Sequence, residues 1–148
     1  MPTQSEKKVL PYTAAQMYAL ASDVANYPKF LPWISAARIR SRNDLGDHEV
    51  MDADLVISFK VFRERFGSRV TLWPLKSRID TEYLDGPFKY LVSNWQFADL
   101  ANGGCEVSFF VDFEFKNAIL QKLIGVVFGE AVRRTMRAFE DRAKVLYG

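Results

Sequence analysis

The sequence holds one cysteine and one histidine in 148 residues. A lone thiol, Cys105, cannot close an intramolecular disulfide, so a reducing compartment is expected and stability must come from a core. One His and one Cys do not make the clusters that hold zinc or iron, so neither a metal nor a catalytic cofactor is expected. Nucleophilic catalysis needs a base and an orienting group beside the nucleophile. His48 sits in a polar turn with no partner marked, and reads as a solvated turn residue; Cys105, after Gly103-Gly104, reads as a structural thiol. There is no glycine-rich phosphate loop. No apolar run nears the ~20 residues that span a bilayer. The polar start, Met1 to Lys8, lacks the apolar stretch of a signal peptide. Charge of one sign is also missing: 20 Lys and Arg against 18 Asp and Glu leave a net +2, too little to imply nucleic acid, and DNA is not an expected partner.

What is there is apolar and aromatic. Hydrophobic residues make up 49% of the chain, and 12 are Phe, which calls for a thick core or a roomy apolar cavity. The length suits one domain, taken as residues 1–148. Between Asn26 and Ile34 the side chains of Tyr27, Phe30, Leu31 and Trp33 crowd around Pro28 and Pro32. Two prolines forbid a regular helix or a central strand there, so the segment must bury its rings in an irregular shape, as a core plug or as the rim of a pocket.

Periodicity divides the rest. Gln4–Leu10 reads as a strand. Thr13 with Gln16 forms a capping box for a helix reaching Asp23, with Met17, Leu20, Ala21 and Val24 on its buried face. Period-two alternation then predicts six strands at Ile34–Arg42, Glu49–Phe59, Phe62–Trp73, Arg78–Leu84, Tyr90–Phe97 and Cys105–Phe115, separated by turn residues. The connections are too short for crossovers, so neighbours pair antiparallel. The polar faces alternate in sign along the chain: Arg38, Arg40 and Arg42; Asp52 and Asp54; Arg63, Arg65 and Arg69; Asp80 and Glu82. A meander with facing charges as cross-strand partners requires that order, and it favours neutralisation over a nucleic-acid or phospholipid patch.

The last thirty residues repeat apolar positions every three or four, from Leu120 to Leu146, as one amphipathic helix of about 45 Å. Arg137 with Asp141 is a candidate i,i+4 pair. Gly125 and Gly129 in its first half mark close backbone packing, a kink, or room for a ligand. Glu64 falls on the inward set with Phe66 and Ser68 if its strand is regular; a bulge at Gly67 would instead leave it exposed.

The order strand, helix, Pro-aromatic segment, meander and long C-terminal helix resembles the helix-grip fold of the START-like polyketide cyclase and lipid-transport superfamily, an α+β, Bet v-like architecture in which a curved antiparallel sheet of about seven strands wraps a long C-terminal helix. Within it, Asp23-Val24 with Tyr27-Pro28-Lys29-Phe30-Leu31-Pro32-Trp33, Arg63-Glu64-Arg65-Phe66 with Ser68-Arg69-Val70, and Phe139-Glu140 with Arg142-Ala143 and Leu146-Tyr147-Gly148 look like the coenzyme Q-binding START-domain proteins. The resemblance covers nearly the whole chain.

It implies a binding protein rather than an enzyme, with ubiquinone or another lipid as ligand and a role in respiration. A bacterial relative in the same group is described as a toxin that blocks association of ribosomal subunits, which implies as the alternative a toxin of a toxin-antitoxin system, with a ribosome contact at Arg133, Arg134, Arg137 and Arg142. A polyketide cyclase or aromatase is a third reading, with Glu64 as its one acid. Because the chain starts almost at its first strand, a bacterial protein is expected, cytoplasmic or peripheral at the inner membrane. The expected ligand contacts are Phe30, Leu31 and Trp33 at a mouth, Leu55, Phe59, Phe66 and Trp95 on the sheet, and Leu120, Ile124 and Phe128 on the helix.

Overall fold

A computed structural model describes residues 3–59 and 62–148, without the side chains of Phe59, Phe62 and Val127. Strand β1 (Thr3–Leu10) leads into helix α1 (Ala14–Ser22) and a 3-10 turn (Val24–Lys29). Six strands follow: β2 (Ile34–Asp44), β3 (Glu49–Phe59), β4 (Phe62–Trp73), β5 (Arg78–Asp85), β6 (Phe88–Asp99) and β7 (Cys105–Phe115). Helix α2 (Ala118–Tyr147) closes the chain. The sheet order is β1-β7-β6-β5-β4-β3-β2, antiparallel throughout. Strands β2 to β7 thus form the expected meander, and β1 is added beside β7.

Local chemistry accounts for the element ends. Thr13 Oγ1 accepts from Gln16 N at 3.1 Å while Gln16 Oε1 accepts from Thr13 N at 2.9 Å, closing the capping box. Asn117 Oδ1 accepts from the amides of Ile119 and Leu120 at 2.9 and 3.2 Å, which satisfies two of the orphan donors at the start of α2. Lys8 Nζ lies 2.5 Å from Glu140 Oε1 and ties β1 to the helix.

On the outer face the predicted sign alternation becomes ion pairs. Arg69 reaches Asp52 at 2.9 Å, Arg42 reaches Glu49 at 2.5 Å, and Arg40 and Arg65 both reach Asp54 and Asp85. The register slips between Ile39 and Ser41, so Arg40 leaves simple cross-strand pairing and bridges two carboxylates. The arginines of these strands are therefore largely neutralised. Arg137 and Asp141 do not form the expected pair; Glu130 instead takes Arg133 at 3.5 Å and Arg134 at 3.2 Å.

Helix α2 lies across the concave face. Its buried stripe, Phe128, Val132, Met136, Phe139 and Ala143, meets Trp95, Phe97, Phe113 and Phe115 of the sheet. The core is continuous from there through Met17, Leu20 and Ala21 of α1. The helix begins where β7 ends and finishes near α1, where Tyr147 donates its hydroxyl to the Gln16 carbonyl at 3.1 Å.

Candidate functional site

Sheet and helix do not meet everywhere. Between them lie two adjoining apolar chambers of about 190 and 220 Å³ that share Trp33, Ile34, Leu91, Phe109, Val111 and Thr135. The deeper one reaches Leu55, Phe66, Ile79, Trp95 and Phe139. The outer one runs to Ile57, Phe88, Ile124 and Phe128, at the end of the sheet where α2 starts. Trp33, Ile34, Ile57 and Ile124 are half-exposed there, which makes that end the opening. Together the chambers stand at the lower end of the ~300–1,000 Å³ of small-molecule pockets.

Among the described residues the walls carry hydroxyls and no group that titrates near neutrality. Ser68, Thr81 and Ser93 come from the adjacent strands β4, β5 and β6, with Thr81 directly opposite Ser93, and form a short polar belt across an apolar floor. Thr135 on α2 faces them, its Oγ1 donating to the Ala131 carbonyl at 2.9 Å. Tyr27 also lines the deep chamber; its hydroxyl donates to the Ala21 carbonyl, and burial, then Asp23, push its pKa above the ordinary phenol value. Among the described residues no carboxylate, amine, imidazole or thiol lines either chamber. What this arrangement offers a ligand is apolar burial and a few hydroxyl hydrogen bonds.

Of the expected contacts, Leu31, Trp33, Leu55, Phe66 and Trp95 line the deep chamber, and Trp33, Ile124 and Phe128 the outer one. Phe30 does not: its ring packs edge-on against Tyr27 and Phe139, at 6.0 and 5.2 Å between centroids, and its other side faces an outer groove. The 3-10 turn rotates it away from Leu31, which takes the inward position. Leu120 packs on the core one turn before Ile124 and lies outside both linings. The side chain of Phe59 lies outside the described residues. The whole segment sits at the sheet edge, beside β2, and packs on Phe139 in the C-terminal third of α2.

Glu64 is exposed. The register shift at Gly67–Ser68 affects pairing with β5 only; pairing with β3 runs unbroken, so Glu64 keeps the phase of Phe66 and faces solvent because it lies beyond the end of β5. Gly125 and Gly129 do not serve close packing. A Cβ at Gly125 would meet nothing within 4 Å, and one at Gly129 only the Arg133 guanidinium. His48 stacks on Trp73 at 4.3 Å and bonds Asp47 at 2.6 Å; Cys105 is fully buried, its pKa raised by that burial. No cluster of metal-ligating side chains occurs among the described residues. The hydroxyl belt was not legible beforehand. Its one signal was Ser68, Thr81 and Ser93 standing in the inward phase of strands otherwise apolar on that face.

A family model described as polyketide cyclase / dehydrase and lipid transport matches residues 10–140. The chain belongs to that family. It is 42% identical over 140 residues to the ribosome association toxin RatA of Rickettsia prowazekii, covering 93% of this chain and 92% of the relative. It is 34% identical to the mitochondrial coenzyme Q-binding protein COQ10 homolog B of Xenopus laevis, covering 97% of this chain and 59% of that longer one. Among solved structures, an 18 kDa protein of Caulobacter crescentus superposes with a TM-score of 0.85 at 35% identity, over 100% of this chain and 99% of the other. The aromatase/cyclase Zhui of a Streptomyces species shares the fold, with a TM-score of 0.81 at 14% identity over 97% of this chain and 93% of the other. The helix-grip, START-like α+β architecture expected from the sequence is thus the family's. Helices long and apolar enough to cross a membrane are absent among the described residues.

Proposed function

We propose that this protein, acting as one START-like lipid-binding domain over residues 1–148, binds a prenylated quinone such as ubiquinone in the two chambers and serves respiration as a quinone chaperone, not as an enzyme. The observation that carries this reading is the lining: an apolar cavity with a belt of hydroxyls and, among the described residues, no group that titrates near neutrality. Quinone carbonyls accept hydrogen bonds, and Ser68, Thr81 and Ser93 can donate them. Each tail methylene taken from water adds about 0.8 kcal/mol, so a few isoprene units suffice for tight holding. The chamber sizes fit the ring and the first units; the rest of a long tail leaves by the opening at Ile57 and Ile124. The family membership and the coenzyme Q-binding relative support it. No cofactor is needed, and the expected place of work is the cytoplasm and the inner face of a membrane. A cyclase reading is disfavoured because Glu64 lies outside the cavity.

The test is to purify the protein from its host, extract it with organic solvent and identify any quinone by mass spectrometry. Copurified quinone, lost in Ile124→Lys with the fold intact by circular dichroism, is the expected result. Extracts free of quinone, or unchanged content in Ile124→Lys, would refute the reading.

A second reading has its own observation. Lys29, Arg134, Arg137 and Arg142 line an outer groove of about 570 Å³ beside Phe30 and Pro32. Arg142 stands over the Phe30 ring at 5.7 Å, and Lys29, Arg137 and Arg142 have no ion-pair partner among the described residues. Such a groove suits a ribosomal partner, as the name of the Rickettsia relative would have it. Cosedimentation with ribosomal subunits that Arg137→Glu with Arg142→Glu abolishes would establish it.

A further inference from the structure

The first part of α2 differs from the rest of that helix. Residues 118–129 carry one charge, Lys122, whereas residues 130–147 carry eight. Within the first part, Leu120, Ile124 and Phe128 turn inward. Ile119, Leu123 and Val126 turn outward, at positions i, i+4 and i+7, and are 72%, 59% and 86% exposed. The same outward line becomes charged at the next turn, with Glu130, Arg133 and Arg134. The outward line beside the cavity opening thus carries three large aliphatic residues and no acid, whereas Val145 and Leu146, exposed at the far end of the helix, stand among Asp141, Arg142 and Lys144.

We propose that this outward stripe docks the protein on an anionic bilayer surface, with Ile119, Leu123 and Val126 entering the acyl boundary and Lys116 and Lys122 among the headgroups. Three observations select a bilayer over a protein. The exposed aliphatic area is one short stripe, well under the ~800 Å² per partner that a specific protein interface buries. Lys116 and Lys122 flank it without an ion-pair partner among the described residues, which suits anionic lipid. The stripe also shares its helical turns with Ile124 and Phe128, which border the opening. A docked molecule would therefore hold its opening against the phase in which an apolar ligand is dissolved. This last point rests on the cavity reading above; the first two do not. Gly125 lies between the two faces with open space around it, and an open groove of about 880 Å³ separates this part of the helix from β1 and β7, so the turns can shift as the surface is met.

The test is flotation of the full chain with phosphatidylcholine vesicles, with and without phosphatidylglycerol. The wild type is expected to float with the anionic vesicles and more weakly with the neutral ones. Val126→Asp and Leu123→Asp, both at exposed positions that leave the circular dichroism unchanged, are expected to lose about tenfold or more in partitioning. Lys122→Glu is expected to lose about fivefold or more, since one lysine near such a surface is worth about that factor. Absence of flotation, or aspartate variants that float as the wild type does, overturns the proposal. So does a concentration-dependent dimer in sedimentation velocity that Leu123→Asp abolishes, which would make a second copy the occupant. Quinone content measured on the same preparations separates the two ideas: variants that keep quinone and no longer float support docking, and flotation by a quinone-free protein supports docking while counting against the cavity reading alone.

Discussion

Replacing Phe139 with alanine should destabilise the protein by about 4–5 kcal/mol. The ring is 3% exposed and lies where α2, the sheet and the Tyr27–Trp33 segment converge. Tyr27, Phe30 and Trp95 surround it at 5.6, 5.2 and 4.8 Å, all nearly edge-to-face. Its removal opens on the order of 100 Å³, or about 2.4 kcal/mol at about 24 cal/mol per Å³ of cavity. The lost transfer free energy of the ring adds about 1.5–3 kcal/mol. The site cannot collapse to recover this, because it already borders the deep chamber. Phe139→Leu keeps most of the volume and loses chiefly the edge-to-face contacts, each worth about 0.5–1.5 kcal/mol and not additive, so about 1–2 kcal/mol is expected. Urea unfolding followed by circular dichroism measures both, through the midpoint at constant m. A cost below about 1 kcal/mol for the alanine variant would refute the reasoning, as would a leucine variant as damaged as the alanine one: the first would mean the segment hangs elsewhere, the second that ring contacts outweigh volume.

Other expectations concern the cavity, the helix and the outer face. Ser93→Leu puts a larger apolar group into the chamber floor and should abolish copurified quinone while holding or raising the unfolding midpoint; quinone retained in that variant would move the ligand elsewhere. Gly125→Ala meets open space and should stabilise the helix by up to about 1 kcal/mol in the same urea assay. Asp54 and Asp85 are held below the ordinary carboxylate pKa, Asp54 chiefly by its bond from Arg40 and Asp85 chiefly by its bond from Arg65. Their folded values lie below the unfolded one, so the stability they contribute is present above about pH 4 and is lost as pH falls through the folded values. Urea midpoints between neutral and acid pH should therefore drop below about pH 4, and drop less in Asp54→Asn.

The meander was legible because two independent patterns agreed. Apolar alternation gave the strands, with β3, β4 and β7 at the bounds observed, and the alternation of Arg with Asp and Glu gave their neighbours. The capping box was legible for a similar reason: its chemistry is contained in four residues. What escaped reading depends on long-range geometry. The pairing of β1 with β7 is closed by the shape of the sheet. Whether Phe30 or Leu31 points inward depends on the exact rotation of one 3-10 turn, and whether Glu64 is buried depends on where β5 stops. The hydroxyl belt escaped because serine and threonine are ordinary members of a strand. It becomes a feature only when three strands set their hydroxyls side by side.

Pairing of Thr3 with Asp112 joins residues 109 positions apart, and the helix that covers the sheet is the last element made. During synthesis the strands β2 to β5 leave the ribosome with their apolar face uncovered, and neither β1 nor the chambers can be completed until β7 and α2 have followed. The nascent chain thus passes through a stage with an open greasy sheet, and the arginines along β2, its exposed edge, stand where another chain would otherwise add a strand. The chambers are the last feature to take shape, because Ile124, Phe128, Thr135 and Phe139 of α2 form one wall of them.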